Sequence, residues 1–256
     1  MLTIDIGNSR IKWCRFRDGD IVEHRVQAYS VESFETDLRR VVSPQDASCR
    51  LMMSHVAGEA LKKRLIRVLD ENRYSNVSFA QTQAQQCGVR NSYEKTENMG
   101  VDRWLAMIAG FHSPLKQTSD AVCVVDCGTA ITLDVVDSKG VHQGGLIMPG
   151  LQTMCASLVS GTSRIQADKQ FESGELSEPA LAASTEQAVK QGCRQLMLEG
   201  VSGIIARQKQ AANGAMLCLV TGGDGEWVSE ALVHKNAYEP FLVHYGLQRI
   251  ADEGNS

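Results

Sequence analysis

The sequence offers almost no clustering of positive charge. Its 26 Lys and Arg stand against 30 Asp and Glu, the net charge is −4, and no basic block forms the electrostatic footprint of a nucleic-acid binder. A nucleic-acid partner is therefore not expected. No stretch approaches the ~18 uninterrupted apolar residues of a membrane span, and Met-Leu-Thr-Ile-Asp at the start puts no charged leader before an apolar run. A cytoplasmic protein without a membrane partner is the expectation. The eight cysteines include no Cys-x-x-Cys pair. Cys123 and Cys127 come nearest, but four residues of extended strand span roughly 13 Å, about twice the Cα separation of a disulfide. A zinc site lacks its second ligand pair, and the six histidines show no H-x-x-x-H spacing, so reduced thiols and satisfied or solvated imidazoles are expected. Five prolines and no low-complexity segment leave little linker material. There is no G-x-x-x-x-G-K-[ST] loop and no G-x-G-x-x-G after a strand, which excludes two familiar phosphate sites.

What is present is a pattern that occurs twice. "LTIDIGNSR" (2–10) runs a buried-looking strand into Asp-x-Gly and a small polar residue, and "CVVDCGTAI" (123–131) does so again. Around the first copy, "IKWCRF" and "GDIVEHRVQAY" read as the second and third strands of a meander, "RLMMSHVA" as a buried strand, and "GEALKKRLIRVLDEN" as a helix with aliphatics at helical spacing. A helix is expected from Val101 to about Phe111, ended by Ser113-Pro114. Around the second copy, "AVCVVDCG", "AITLDVVD" and "VHQGGLIMPG" repeat the meander. The rest is mainly helical, from "TEQAVKQG" through a last strand "AMLCLVTGGDG" to "EPFLVHYGLQRIA". Aligning Asp5 with Asp126 gives an offset of 121 that also pairs Gly7 with Gly128 and Asn8 with Thr129. The expectation is an α/β chain of two duplicated domains facing a central cleft, residues 1–115 and 116–256.

Chemistry follows from the turns. Gly after a strand-ending Asp lets bare backbone N–H groups approach an anion closely. The carboxylate would repel a phosphate directly, so its task would be to hold a cation, hydrated Mg²⁺ or a monovalent ion. The plainer reading of one Asp-Gly is a hairpin turn; two copies in matching flanks favour the shared-ligand reading. "TGGDGE" (221–226) supplies Gly222, Gly223 and Gly225 after an apolar strand, either as a tight strand-to-helix turn or as lining of a nucleoside pocket.

These twin turns resemble the phosphate loops of the actin-like ATPase and sugar kinase superfamily, in which two ribonuclease-H-like domains clasp ATP. Within it, "DIGNSRIKW", "GVDRW", "DCGTAITLD", "GGLIMPG" and "STEQAVKQG" occur in the order and spacing of type III pantothenate kinases, and the resemblance spans most of the chain. It implies ATP-dependent phosphorylation of the primary hydroxyl of pantothenate, the first step of coenzyme A synthesis, with Mg²⁺ accompanying ATP, K⁺ or NH₄⁺ as activating cation, and a homodimer. It further implies that Asp5, Ile6, Gly7, Asn8, Ser9, Arg10, Ile11 and Lys12 line the ATP phosphates, that Thr129 contacts the nucleotide and that Asp126 serves the monovalent cation. Asp102 is then the proton acceptor, and Tyr93, Gly100, Val101, Asp102, Arg103 and Thr185 are substrate residues.

Each assignment has a plainer counterpart. Asp102 and Arg103 could be an ordinary charged pair at a helix start, with Arg103 solvated. Tyr93 could be a half-exposed aromatic, Thr185 a helix N-cap, and Lys12 a solvent-facing strand residue. The chain also departs from the family pattern: "EKTENM" stands where a Pro usually follows the Tyr, and "TSRIQADKQ" lacks the usual Leu-Pro. Another small-alcohol kinase of the superfamily, or a kinase-derived transcription accessory factor, is the alternative reading.

Overall fold

The computed structural model describes residues 1–56, 58–116, 119–161, 181–213 and 215–254, with the side chain of Pro44 left aside. The chain opens with strands β1 (Leu2–Ile6), β2 (Arg10–Arg17) and β3 (Asp20–Ala28), then helix α1 (Phe34–Val41), β4 (Leu51–His55), α2 (Glu59–Glu71) and β5 (Val77–Phe79). A small hairpin, β6 (Gln85–Gln86) and β7 (Val89–Arg90), precedes α3 (Val101–Phe111). Next come β8 (Ala121–Cys127), β9 (Ala130–Asp137), β10 (His142–Pro149), α4 (Leu151–Gly161) and α5 (Thr185–Ala211). The chain then forms β11 (Met216–Thr221), α6 (Gly225–Ala231), β12 (Ala237–Tyr238) and α7 (Leu242–Glu253).

Two compact units result, one of residues 1–109 with 241–256, the other of residues 110–240. Each holds a five-stranded sheet of one topology, in the order β3-β2-β1-β4-β5 and β10-β9-β8-β11-β12. In both, the first three strands are antiparallel neighbours and the last three run parallel. The fold is thus two copies of a ribonuclease-H-like α/β unit.

In the first unit Leu2, Ile4, Ile6, Ile11, Trp13, Leu51 and Met53 form one face of the sheet with α1 and α2. Helix α2 earns its place through Leu61, Leu65, Val68 and Leu69, whose spacing aligns them on one buried stripe. The opposite face carries Thr3, Cys14 and Phe16, and α7 lies there. The expected division at 115/116 assigns α7 to the second half, whereas in the structure it packs on β1 and β4. The cause is its apolar stripe: Leu242, Val243, Leu247, Ile250 and Ala251 are all buried, each large one contributing roughly 1.5–3 kcal/mol. Gly246 makes the crossing with α3 possible, because a Cβ there would stand 2.2 Å from Leu105 O.

The second unit stacks α4, α5 and α6 on Cys123, Val125, Cys127, Ile131, Leu133, Cys218 and Val220. Helix α5 contributes Val189, Cys193, Met197, Val201 and Ile205, each four residues after the last. All eight cysteines carry free thiols.

Candidate active site

Asp5 is the last residue but one of β1 in the first unit and is 6 % exposed. Strand register sets Lys12 of β2 on one side of it and Ser54 of β4 on the other, and the Ser54 hydroxyl donates to Asp5 Oδ1 at 2.6 Å. Burial raises the Asp5 carboxyl above the ordinary carboxylate range, Lys12 and then Ser54 pull it back, and the charge of Asp102 adds to the rise. Asp5 and Asp102 are therefore electrostatic neighbours within one unit. Lys12 shares the Asp5 face of the sheet, since Ile11 and Trp13 on either side of it point into the core, and it is half-buried there.

The turn after Asp5 closes by Gly7 N–H donating to Arg10 O at 3.1 Å. Tyr29, just past β3, holds it from outside: its N–H donates to Ser9 O at 3.2 Å and its hydroxyl to Gly7 O at 2.5 Å. Neither Tyr29 nor Ser54 was foreseen from sequence. Ser54 had a signal: it is a hydroxyl near the end of an apolar strand, as Thr221 is at the end of β11.

Gly100 and α3 shape the substrate motif. Asp102 Oδ1 accepts the Arg103 N–H at 2.8 Å and folds back so far that a Cβ on Gly100 would lie 2.5 Å from it. This explains Gly two residues before the acid. Arg103 is only 6 % exposed, which corrects the expectation of a solvated Arg in the plainer reading. Its Nη1 donates to the Tyr93 hydroxyl at 2.8 Å, and its guanidinium stands 5.5 Å from that ring's centroid. A cation and a phenol so joined suit a carboxylate or hydroxyl substrate. The "EKTENM" segment forms a short 3₁₀ turn over Thr96–Asn98; "TSRIQADKQ" (162–170) lies outside the described residues.

The second unit repeats the first turn with one residue fewer: Asp5 pairs with Lys12, but Asp126 with Thr132. Asp126 also faces Thr221 on its parallel neighbour, as Asp5 faces Ser54. Gly128 N–H donates to Ala130 O at 3.0 Å, and Gly150 N–H to Thr129 O at 3.0 Å. Thr153 Oγ1 donates to the same Thr129 carbonyl at 2.6 Å. The Thr129 side chain is exposed. The "TGGDGE" glycines form the strand-to-helix turn after β11, and they also border the acid: Gly222, at φ +96°, is so placed that a Cβ would come within 2.4 Å of Asp126 Oδ1. Thr185 is the first residue of α5 and exposed, while the N-cap is Ser184, whose hydroxyl accepts from Gln187 N–H at 3.3 Å. The cap expected at Thr185 therefore sits one residue earlier.

Two histidines depart from the expectation of satisfied or solvated rings. Among the described residues, neither the buried Nε2 of His55 nor that of His244 meets a hydrogen-bond partner. His244, on α7, is 1 % exposed, shares a 2.8 Å hydrogen bond with Thr3 Oγ1 through Nδ1, and is pushed down to about 3 by burial, then by Lys12 and His24.

Two copies of one sheet topology, each with an acidic turn after its first strand, define the actin-like ATPase and sugar kinase class. Solved structures agree in fold. A protein described as a Baf family transcriptional activator from Campylobacter jejuni superposes with TM-score 0.61 at 22 % identity, covering 100 % of this chain and 99 % of that one. A protein described as a 2-dehydro-3-deoxygalactonokinase from Sinorhizobium meliloti gives 0.55 at 11 % identity, with 98 % and 96 % covered. At these identities the likeness is one of fold alone. Sequence goes further: the type III pantothenate kinase profile matches residues 1–207. A type III pantothenate kinase of Ectopseudomonas mendocina is 36 % identical over 252 residues, covering 96 % of this chain and 97 % of its own length. One from Alcanivorax borkumensis is 32 % identical over 254 residues, with 98 % of each covered. The chain belongs to the type III pantothenate kinase family and is an enzyme of ATP-dependent pantothenate phosphorylation. No helix among the described residues is long and apolar enough to cross a membrane.

Proposed function

We propose that Asp102 accepts the proton of the primary hydroxyl of pantothenate as that oxygen attacks the γ-phosphorus of ATP. One observation carries this reading: the Asp102 carboxylate is fixed at the start of α3, beside the Arg103–Tyr93 pair and within electrostatic reach of Asp5. A carboxylate in hydrogen-bond range both orients the attacking oxygen and receives its proton late in a loose transition state. The Arg103 guanidinium, already joined to Tyr93, would receive the substrate's carboxylate, with Gly100 and Val101 giving backbone room and Thr185 a further hydroxyl.

Residues 5–12 and Thr129 hold the ATP phosphates in this reading. The donor set suits cations: Asp5 is a buried carboxylate with no ion pair among the described residues, and Asp126 faces space that a side chain at 222 would fill. Asp5 would hold Mg²⁺, and Asp126 a monovalent cation, K⁺ or NH₄⁺. Bound Mg²⁺ supplies charge neutralisation at the β- and γ-phosphates.

A cytoplasmic homodimer completes the proposal. The support for a dimer lies on α5, where Leu196 is 67 % exposed between Gly192 and Gly200, and among the described residues nothing lies within 4 Å of where a Cβ on either glycine would stand. That open apolar stripe would admit a helix of a second copy.

ADP release measured with and without pantothenate, and with K⁺ replaced by Na⁺, tests the substrate and the cation. For the base, Asp102→Asn should keep ATP affinity and folding while turnover falls roughly 10²-fold or more. Unchanged turnover in that variant rules out the role.

A further inference from the structure

The residue after the third strand occupies one place in both repeats, Tyr29 after β3 and Gly150 after β10, 121 positions apart. Each donates its N–H to a carbonyl of its acidic turn, Ser9 O and Thr129 O respectively. There the likeness ends. Gly150 presses its backbone on the turn, since a Cβ there would lie 2.0 Å from Gly128 O. At the equivalent carbonyl of the first turn, Gly7 O, contact is made instead by the Tyr29 hydroxyl at 2.5 Å.

The aim of that hydroxyl is set by the core. The Tyr29 ring stands edge-on to Phe34 with centroids 5.2 Å apart, and Phe34 is fully buried. Burial, and after it the charge of Asp5, holds the phenol above its ordinary value, so it keeps the proton that it donates. In a trans peptide the C=O and the following N–H point opposite ways. Anchoring Gly7 O on Tyr29 therefore turns the Asn8 N–H away from Tyr29, and anchoring Ser9 O does the same for the Arg10 N–H.

We propose that Tyr29 is a positioning residue for nucleotide binding, its hydroxyl locking the Gly7–Asn8 peptide so that the Asn8 N–H faces the triphosphate. This rests on the reading of residues 5–12 as a phosphate turn.

Tyr29→Phe removes the hydroxyl and keeps the ring, and Lys12→Ala serves as the reference for the turn itself. For each, the KM of ATP and of pantothenate, the affinity for a non-hydrolysable ATP analogue with Mg²⁺ and for adenosine, and the thermal midpoint are measured. Tyr29→Phe should raise the ATP KM and the analogue Kd about fivefold, the size of one net hydrogen bond. Pantothenate KM, adenosine affinity and thermal midpoint should hold. If Lys12→Ala weakens the analogue and Tyr29→Phe does not, the role of Tyr29 is refuted and the phosphate turn stands. If neither variant changes analogue binding, the turn reading fails and takes the proposal with it. Equal losses for adenosine and the analogue, or a lowered thermal midpoint, would make Tyr29 a packing residue and overturn it.

Discussion

Replacing His244 by Asn should remove a large part of the acid sensitivity of the first unit. The unfolded chain protonates this imidazole near 6.5, the folded chain only at about 3. Between those values the unfolded state binds more protons, so falling pH favours unfolding. The stability is fully present well above pH 6.5 and is lost progressively toward pH 3. Each pH unit in that window costs about 1.4 kcal/mol, or about 2 kcal/mol by pH 5 and about 5 kcal/mol once pH 3 is reached. The groups facing the ring sharpen the effect: Lys12 on β2 and His24 on β3 both oppose its protonation. Asp5 acts with opposite sign, because burial raises its folded pKa and acid relieves that cost. Comparing the variant with the parent at each pH removes the Asp5 contribution. Asn offers Thr3 Oγ1 a polar partner in place of Nδ1 and does not titrate. Urea unfolding followed by tryptophan fluorescence, with Trp227→Phe in both proteins, confines the signal to Trp13 and Trp104 of the first unit. Between pH 7 and pH 5 the parent should lose about 2 kcal/mol more than the variant. Parallel losses in the two proteins would refute the burial argument.

Gly246→Ala should lower the thermal midpoint of the protein, because the added methyl meets Leu105 backbone at 2.2 Å and neither helix can yield without repacking; a cost of about 1–3 kcal/mol or more is expected, read by calorimetry. Gly222→Ala should reduce turnover out of proportion to stability, since it both strains a φ of +96° and drives a methyl within 2.4 Å of Asp126 Oδ1; steady-state kinetics against K⁺ concentration checks it, and unchanged K⁺ dependence counts against Asp126 as the cation residue.

Much of the architecture could be read from residue patterns. Each Asp-Gly turn sits between strongly patterned strands, so β1, β2, β8 and β9 fall where alternation and turn chemistry place them, and the 121-residue offset anticipated one topology built twice. The offset lapses across the second strand, where the second copy has dropped a residue, so Lys12 is matched in register by Thr132 rather than by Leu133, and it is regained by the end of the third strand. Contacts that depend on register or on distant chain were not legible. Ser54 reaches Asp5 because two parallel strands align 49 residues apart. Tyr29 meets Gly7 only through the hairpin that brings β3 back. The burial of Arg103 was not legible, because nothing local announces that the Tyr93 hydroxyl, ten residues earlier, receives its guanidinium. The two-residue strands β6, β7 and β12 are too short to carry any period.

Helix α7 imposes an order of events on synthesis. Thr3 meets its partner His244 only across 241 residues of chain, so the strand that bears Asp5 stays uncovered on one face until nearly everything else has left the ribosome. Residues 110–240 are continuous and can fold while the earlier half still waits for its last helix. Chains truncated after residue 240 and released should therefore hold a finished second unit beside a first unit open to proteases.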